Sequence, residues 1–516
     1  MSILSFSYFF LVLILLVLYY IFPLKIRWII LLFGSVVFYF LSSGWLIVYL
    51  FLSTIIIYFL GLMLDKEKNQ DNKEFTSLSE EDKKLLKEKS KKKQKKIILV
   101  GILLLILFIV VTKYVLFLVE NINWFFNLLH IKNISISNVL IPLGISYYTL
   151  EAISYLVDIY RGKIRAEKNF GKVLLYLIYF PKIIEGPITR FKEFSDQSFN
   201  GACLKWNNII VGMDYIIYGL FKKMVIADRA GIFVNHVFDG NFGGVTVFLA
   251  MILYTVQIYA EFSGCIDIVR GVSQLFGIVL PTNFKRPMFS KSVQEFWQRW
   301  HITLGSWIRE YVFFPISLSK MNQKVCKYCK EKWSLYWYKF ISVAFPLLFV
   351  WLVNGLWHGA SYKYIVYGMY YYVIMMIGVL FNAMTSKFVK KLNINKKVLD
   401  MWGIFRTCFL VVVGMTLFRA SSIQDFGNIL ISVFKTSNGV LGYGLEVIDF
   451  IILLGGCFII FIVSILEEKN IVVLEDGFTN KPFKRGLVYA LFLIIIILFG
   501  IYGSGYDASS FIYGAF

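Results

Sequence analysis

Two histidines sit where this apolar chain could do proton chemistry. His301 lies in "EFWQRWHITLGSWIREY" (Glu295–Tyr311) and His358 in "LVNGLWHGAS" (Leu352–Ser361). An imidazole titrates near neutral pH, and it acts as a general base when one ring nitrogen is held and the other faces a hydroxyl. Asn354 stands one helical turn before His358 and could hold one of its nitrogens, while Gly355 and Gly359 flank Trp357–His358. The alternative for His358 is a helix-end histidine that caps carbonyls. The chain has four histidines. His130 and His236 lie in loop-like contexts and are read as incidental.

On a helical wheel at about 100° per residue, Phe296, Trp300, Leu304, Trp307 and Tyr311 share one face of the first stretch. Glu295, Arg299, Ser306 and Glu310 form an opposite polar strip. Glu295 and Arg299 have the i,i+4 spacing and order that favour a helix ion pair. A helix lying flat in the interface would account for this amphipathicity. It does not account for the imidazole bordering the aromatic face, because ionisable groups at membrane depth are costly.

The elements that position these residues follow from composition. The chain has 516 residues, 58% hydrophobic and 16% charged, far from the balance of a soluble domain. Apolar runs include Ile3–Phe22, Leu46–Leu64, Ile97–Thr112, Phe340–Val353, Tyr364–Ser386, Phe450–Leu466 and Leu487–Tyr502. Several approach the roughly 20 residues that a membrane-crossing helix needs. The expected class is an all-α polytopic membrane protein, with residues 1–516 as a single integral-membrane domain. Ile3–Phe22 is expected to stay as the first span, since no basic residue precedes it and no small-x-small cleavage site follows.

The net charge of +21 does not point to nucleic acid. Its lysines cluster at span ends and in Asp65–Lys96, the pattern of cytoplasmic loops near anionic lipid. Cys326 and Cys329 form a lone CxxC without a second ligand pair, which is weak support for zinc, and no metal is expected. Residues 138–318 hold apolar stretches broken by Pro142, Pro181, Pro187, Pro281 and Pro287. Irregular backbone at membrane depth is tolerated where protein or a water-filled cavity receives its polar groups, so this region is the expected site.

Together the histidine motifs resemble the membrane-bound O-acyltransferase family, particularly its alginate O-acetyltransferase-like branch. "IPLGISYYTLEAISYLVDIYRGK" (Ile141–Lys163), "YFPKIIEGPITRFKEF" (Tyr179–Phe194), "EFSGCIDIVRGVSQLFGIVLPTNFKRP" (Glu261–Pro287), the RWH stretch and "LWHGAS" occur in the family's order. The resemblance covers nearly the whole chain. It implies about 10–12 transmembrane helices with re-entrant or amphipathic segments around a central tunnel. It implies His358 as the catalytic histidine and His301 as a second member, with Trp300 and Trp357 beside them in supporting positions.

The implied reaction moves an acyl group, acetyl first, from a cytoplasmic thioester toward an exported cell-envelope polysaccharide. The donor expected is acetyl-CoA, with an acyl carrier protein thioester as the alternative and no bound cofactor. Lys285, Arg286 and Lys291 form a basic face that suits an anionic donor. Expected partners are membrane lipid and an extracellular SGNH-type transferase. Glu261 stands where the branch usually has Asp, and Glu185 where a small residue is usual. "GPITRFKEF" is also similar to relatives that transfer D-alanine to teichoic acids. From another class, a polysaccharide or lipid transporter would also use broken helices and buried charge, but no internal repeat supports it. The closing "FIYGAF" (Phe511–Phe516) resembles endings in related acyl-transfer systems, which implies Tyr513 as an acyl carrier; the alternative is an interfacial aromatic anchor.

Orientation follows from the basic loops. Lys25 and Arg27 follow the first span, Asp65–Lys96 follows the third, and Lys481–Arg485 precedes the last. Both termini, including the tail at 503–516, are therefore expected outside. Epitopes at the two termini should react with an impermeant probe on intact cells, and one placed within Asp65–Lys96 should not. The opposite pattern would overturn this topology.

Overall fold

The computed structural model describes residues 1–74, 79–137, 139–437, 444–471, 473 and 482–502. Among them all regular structure is helical, apart from one isolated antiparallel bridge between Phe284 and Trp300. Eight helical runs are long and apolar enough to cross a membrane. Two of these, Leu24–Lys68 and Glu80–Leu128, have 45 and 49 residues and join successive helices. The chain is a multi-pass membrane protein. Tyr513 and the rest of the tail at 503–516 lie outside the described residues.

Contacts divide the chain into two compact units. The first holds residues 1–209 and 272–280. Its centre is the helix Ile145–Arg161, buried along nearly its whole length. The long helices Ile47–Glu74 and Glu80–Ile109 pack against it. Small residues permit the approach: a side chain at Gly101 would run into Leu156 and Leu60.

The stretch Asp65–Lys96, expected as a solvated, partly helical loop, is mostly helix among its described residues. Ile47–Glu74 and Glu80–Ile109 run on past their apolar segments. Glu and Lys are good helix formers. Ser79 caps the second helix by accepting from the Asp82 amide at 3.3 Å, and Glu80, Glu81 and Asp82 complement the dipole in its first turn.

The Pro-broken segment that follows is irregular and buried, as its prolines predict. Around Tyr179–Thr189 it is held by one carboxylate. Glu151 accepts from Lys182 Nζ at 2.6 Å, from the Thr189 amide at 2.9 Å and from the Thr189 hydroxyl at 2.9 Å. The Lys182 ammonium also lies 4.6 Å from the Tyr176 ring centre. Side chains here replace the water that irregular backbone would otherwise need.

The second unit holds residues 210–271 and 281–516. The helix Val245–Leu275 crosses Trp206–Leu220 closely enough that a Cβ at Gly264 would sit 2.8 Å from the Gly219 carbonyl. Beyond Leu220 the chain loosens into a π-helical turn, Phe221–Ala227, before Asp228–Phe238. That turn carries two buried lysines. Lys222 pairs with Asp267 and donates to Ser263 at 3.0 Å; Lys223 pairs with Asp228 at 2.8 Å and Glu261 at 3.1 Å. Glu261, the departure from the family pattern, is therefore the counter-ion of a buried lysine. The last helix, Pro482–Phe499, ends against the same turn: Arg229 donates to the Phe499 carbonyl at 2.8 Å, and the Ile501 amide to Met224 at 3.0 Å.

Removing one member of a buried ion pair leaves an uncompensated charge, at about 3–5 kcal/mol, whereas removing both is far milder. Lys182→Met should therefore lower the thermal midpoint of the solubilised protein strongly, and adding Glu151→Leu should recover much of the loss. A double variant as unstable as the single one would show that the pair is not the cause.

Candidate active site

The wheel treats Glu295–Tyr311 as one helix, and the structure breaks it in the middle. Ser292 caps a short helix, Val293–Arg299, by accepting from the Glu295 amide at 3.1 Å. The expected pair forms, with Arg299 2.7 Å from Glu295, and Arg299 also reaches Glu468 at 3.2 Å. Trp300 then turns extended and bridges to Phe284. The Lys285 amide donates to Arg299 O at 2.9 Å and the Ile302 amide to Asn283 O at 3.0 Å. His301 takes a left-handed conformation, φ 46°, before helix Ile302–Ile308 begins. For an L-residue that conformation costs roughly 1–2 kcal/mol, and it swings His301 out of the helical register. The one-helix reading fails because its breaking interaction comes from residues 283–285, which no local period reveals.

Asn283 fixes the imidazole. Its Oδ1 accepts from the Thr303 amide at 3.0 Å and the Thr303 hydroxyl at 2.9 Å, and it lies 3.3 Å from His301 Nδ1. An atom that receives a backbone N–H must be the amide oxygen, so the hydrogen of this contact belongs to His301 Nδ1. Nε2 is left as the lone-pair nitrogen, and it is buried without a hydrogen-bond partner among the described residues. Burial pushes the His301 pKa from 6.5 down to about 3. This is a neutral, oriented base.

His358 is the last residue of the helix Leu335–His358 and is buried. Its ring meets Tyr367 at 5.9 Å and Phe418 at 5.2 Å, both edge-on, and stacks on Tyr364 at 6.4 Å. Gly355 allows this: a side chain there would collide with the Tyr364 carbonyl and hold the helix Tyr362–Lys391 away. Asn354 is the residue expected to hold one of its ring nitrogens. Asn354 is buried one turn before His358, yet its Oδ1 has no hydrogen-bond partner among the described residues. An aromatic cage surrounds this imidazole.

The structure brings the two histidines to one indole. Trp357 lies 4.9 Å from the His358 ring and 5.7 Å from the His301 ring, centre to centre. Phe262 closes the far side of His301 at 4.9 Å. Trp300 stacks on Phe296 at 5.4 Å and meets Phe284 edge-on at 5.1 Å, so it braces the turn without touching either imidazole in these ring contacts. Asn283, Phe262, Tyr364, Tyr367 and Phe418 were not singled out from sequence. Only the Tyr364–Tyr367–Tyr371 spacing, one helical face, carried a signal.

The remaining histidines lie apart from this cluster: His130 is exposed after the helix Val115–Leu128, and His236 is exposed near Phe242. Cys326 and Cys329 are buried on the helix Lys320–Lys332, and no group of three metal-ligating side chains occurs among the described residues. Of the basic face, Arg286 pairs with Glu468 at 3.2 Å and Lys291 with Asp400 at 2.8 Å.

Two buried histidines meet one indole in a helical membrane protein, and comparison with known proteins adds the following. Residues 164–327 match the model of the MBOAT, membrane-bound O-acyltransferase family. His301 lies inside the matched range, and His358 beyond it. It is 31% identical over 328 residues to a probable alginate O-acetylase, AlgI, of Pseudomonas syringae pv. tomato, covering 63% of this chain and 57% of the relative. A peptidoglycan O-acetyltransferase of Helicobacter pylori is 27% identical over 64% of this chain and 62% of its own length. A teichoic acid D-alanyltransferase of Bacillus subtilis is 29% identical over 49% of this chain and 62% of its own length. The chain thus spans less than two thirds of the length of each of these relatives.

The His301 shift has a sign that can be measured. Unfolded, the imidazole protonates near pH 6.5; folded, only near pH 3. Its contribution is complete above the unfolded value and declines as pH falls through that window, by up to about 1.4 kcal/mol per unit. The thermal midpoint of wild type relative to His301→Gln should therefore drop between about pH 6.5 and about pH 4. A difference that does not vary with pH would overturn the buried neutral imidazole.

Proposed function

We propose that this protein is a membrane O-acyltransferase that moves an acyl group, acetyl first, from a cytoplasmic thioester toward an exported cell-envelope polysaccharide. The observation that carries this reading is the pair of buried imidazoles on either side of Trp357, in a chain whose residues 164–327 match an O-acyltransferase family model. The names of the alginate and peptidoglycan relatives support acetyl and a polysaccharide, and the teichoic acid relative supports D-alanyl transfer as the second reading. Acetyl-CoA is the proposed donor, with an acyl carrier protein thioester as the alternative. An extracellular SGNH-type transferase is the proposed partner, and both termini are proposed to lie outside.

His358 takes the proton of the attacking hydroxyl as that oxygen bonds to the thioester carbonyl carbon. The tetrahedral intermediate collapses with cleavage of the C–S bond, and the leaving sulfur takes the proton back from the imidazolium. The oxygen ester and a free thiol result. His301 has its own claim to the proton: Asn283 holds Nδ1 and leaves the Nε2 lone pair without a partner among the described residues. Tyr513 is the proposed first acceptor, a phenol easier to deprotonate than a sugar hydroxyl, which would pass the group onward outside.

His358→Ala should abolish polymer acylation with protein abundance near normal, a loss on the order of 10²–10⁴ in rate. His301→Ala should impair acylation, and His130→Ala and His236→Ala should leave it near normal. Tyr513→Phe keeps an aromatic anchor and removes only the nucleophile, so it should abolish acylation too. Wild-type acylation by the His358 variant would sink its role, and wild-type acylation by the Tyr513 variant would sink the relay.

A further inference from the structure

The helix Lys320–Lys332 has three different faces. Asn322, Cys326 and Cys329, at i, i+4 and i+7, are its buried residues, and the helix packs on Leu335–His358. Met321, Val325 and Tyr328 repeat that spacing one residue earlier and are exposed, Met321 by 55% and Tyr328 by 56%. Lys320, Gln323, Lys324, Lys327, Lys330 and Glu331 fill the rest of the circumference and are exposed as well. At about 100° per residue, the apolar stripe lies between the buried face and the Lys-rich one. A helix in water has no use for that middle stripe, and a helix inside a protein would bury it. The order protein, apolar, charged is that of a helix lying flat at a membrane surface.

The stripe's neighbours tell what covers it. Tyr328 meets Trp333 at 6.3 Å, and Trp333 meets Trp337 at 5.9 Å, between ring centres. Trp333 and Trp337 are exposed, with Leu335 and Tyr336 beside them. Trp337 already belongs to Leu335–His358, one of the helical runs apolar enough to cross a membrane. The exposed aromatic edge is therefore continuous from the flat helix onto the span, so the medium that covers one covers the other. Tryptophan and tyrosine are enriched at headgroup depth. Charge then sets the sign of the headgroup. Five lysines stand on this helix against one carboxylate, Glu331, which lies 3.8 Å from Lys327. Lys320, Lys324, Lys330 and Lys332 have no carboxylate partner among the described residues.

We propose that the helix Lys320–Lys332 is a docking surface for anionic phospholipid. Met321, Val325 and Tyr328 enter the acyl-chain boundary, and Lys320 and Lys324, which border the stripe, meet the anionic headgroups together with Lys327. A lysine close to an anionic bilayer is attracted strongly enough to select lipid there. The grip anchors the near end of the helix that carries His358. The proposal rests on the membrane assignment and not on the acyl-transfer reading.

The test uses the full-length protein in nanodiscs of phosphatidylcholine and phosphatidylglycerol in equal parts. Each lipid in turn carries a photoreactive group near its glycerol, and crosslinked peptides are mapped by mass spectrometry. The exposed apolar face of Val447–Glu468, with Leu454, Phe458 and Phe461, is the reference, since it should take both lipids alike. Relative to it, wild-type peptides from 318–333 should take phosphatidylglycerol over phosphatidylcholine by about 5-fold or more. Added salt should shrink that preference. Lys320→Gln, Lys324→Gln and Lys327→Gln together should bring it near parity; all three side chains are exposed, so the buried face is kept. Wild type in high salt asks the same question without a variant. Equal labelling by the two lipids in wild type overturns the proposal. Labelling by neither lipid, the result expected where an acidic protein covers the helix, overturns it too. So does a preference that survives both salt and the substitutions.

Discussion

One side-chain oxygen holds the site together. Asn283 Oδ1 receives the Thr303 amide, the Thr303 hydroxyl and the His301 ring. The helix beginning at Ile302 has orphan N–H groups in its first turn, and in an apolar interior they need partners from the protein. Asn283 satisfies one of them from a segment some twenty residues upstream. The left-handed backbone at His301 is tolerable because this oxygen and the Phe284–Trp300 bridge overdetermine it. Without them the helix would run straight through, and the imidazole would point along the wall that Trp300 now occupies.

The same economy governs the charges. The second unit buries Lys222, Lys223 and Arg229, and each meets a carboxylate: Asp267 for the first, Asp228 and Glu261 for the second, Asp449 for the third. A π-helical turn brings the two adjacent lysines to their partners, and such turns often occur where function demands local strain. Lys363 is held differently, by the carbonyls of Phe418 and Ala420 beside the His358 cage. Burial keeps the His301 imidazole neutral.

Much of this was legible in the sequence, and for a physical reason. Membrane crossing demands about 20 apolar residues in a row, so long runs declare both class and approximate span positions. The Glu295–Arg299 pair depends only on helical spacing and appears as read. The break at Trp300–His301 depends on pairing with residues 283–285 and leaves no trace in the local period. The cage around His358 was hidden for a similar reason, since Tyr364, Tyr367 and Phe418 come from other helices.

The two histidines sit in different surroundings. His301 is fixed by a hydrogen bond to one nitrogen, so its tautomer and its lone pair are set before any substrate arrives. His358 sits at the end of a helix among the rings of Tyr364, Tyr367 and Phe418, which come from two other helices. Trp357 contacts both rings, so one indole, from the helix that ends at His358, spaces the two imidazoles.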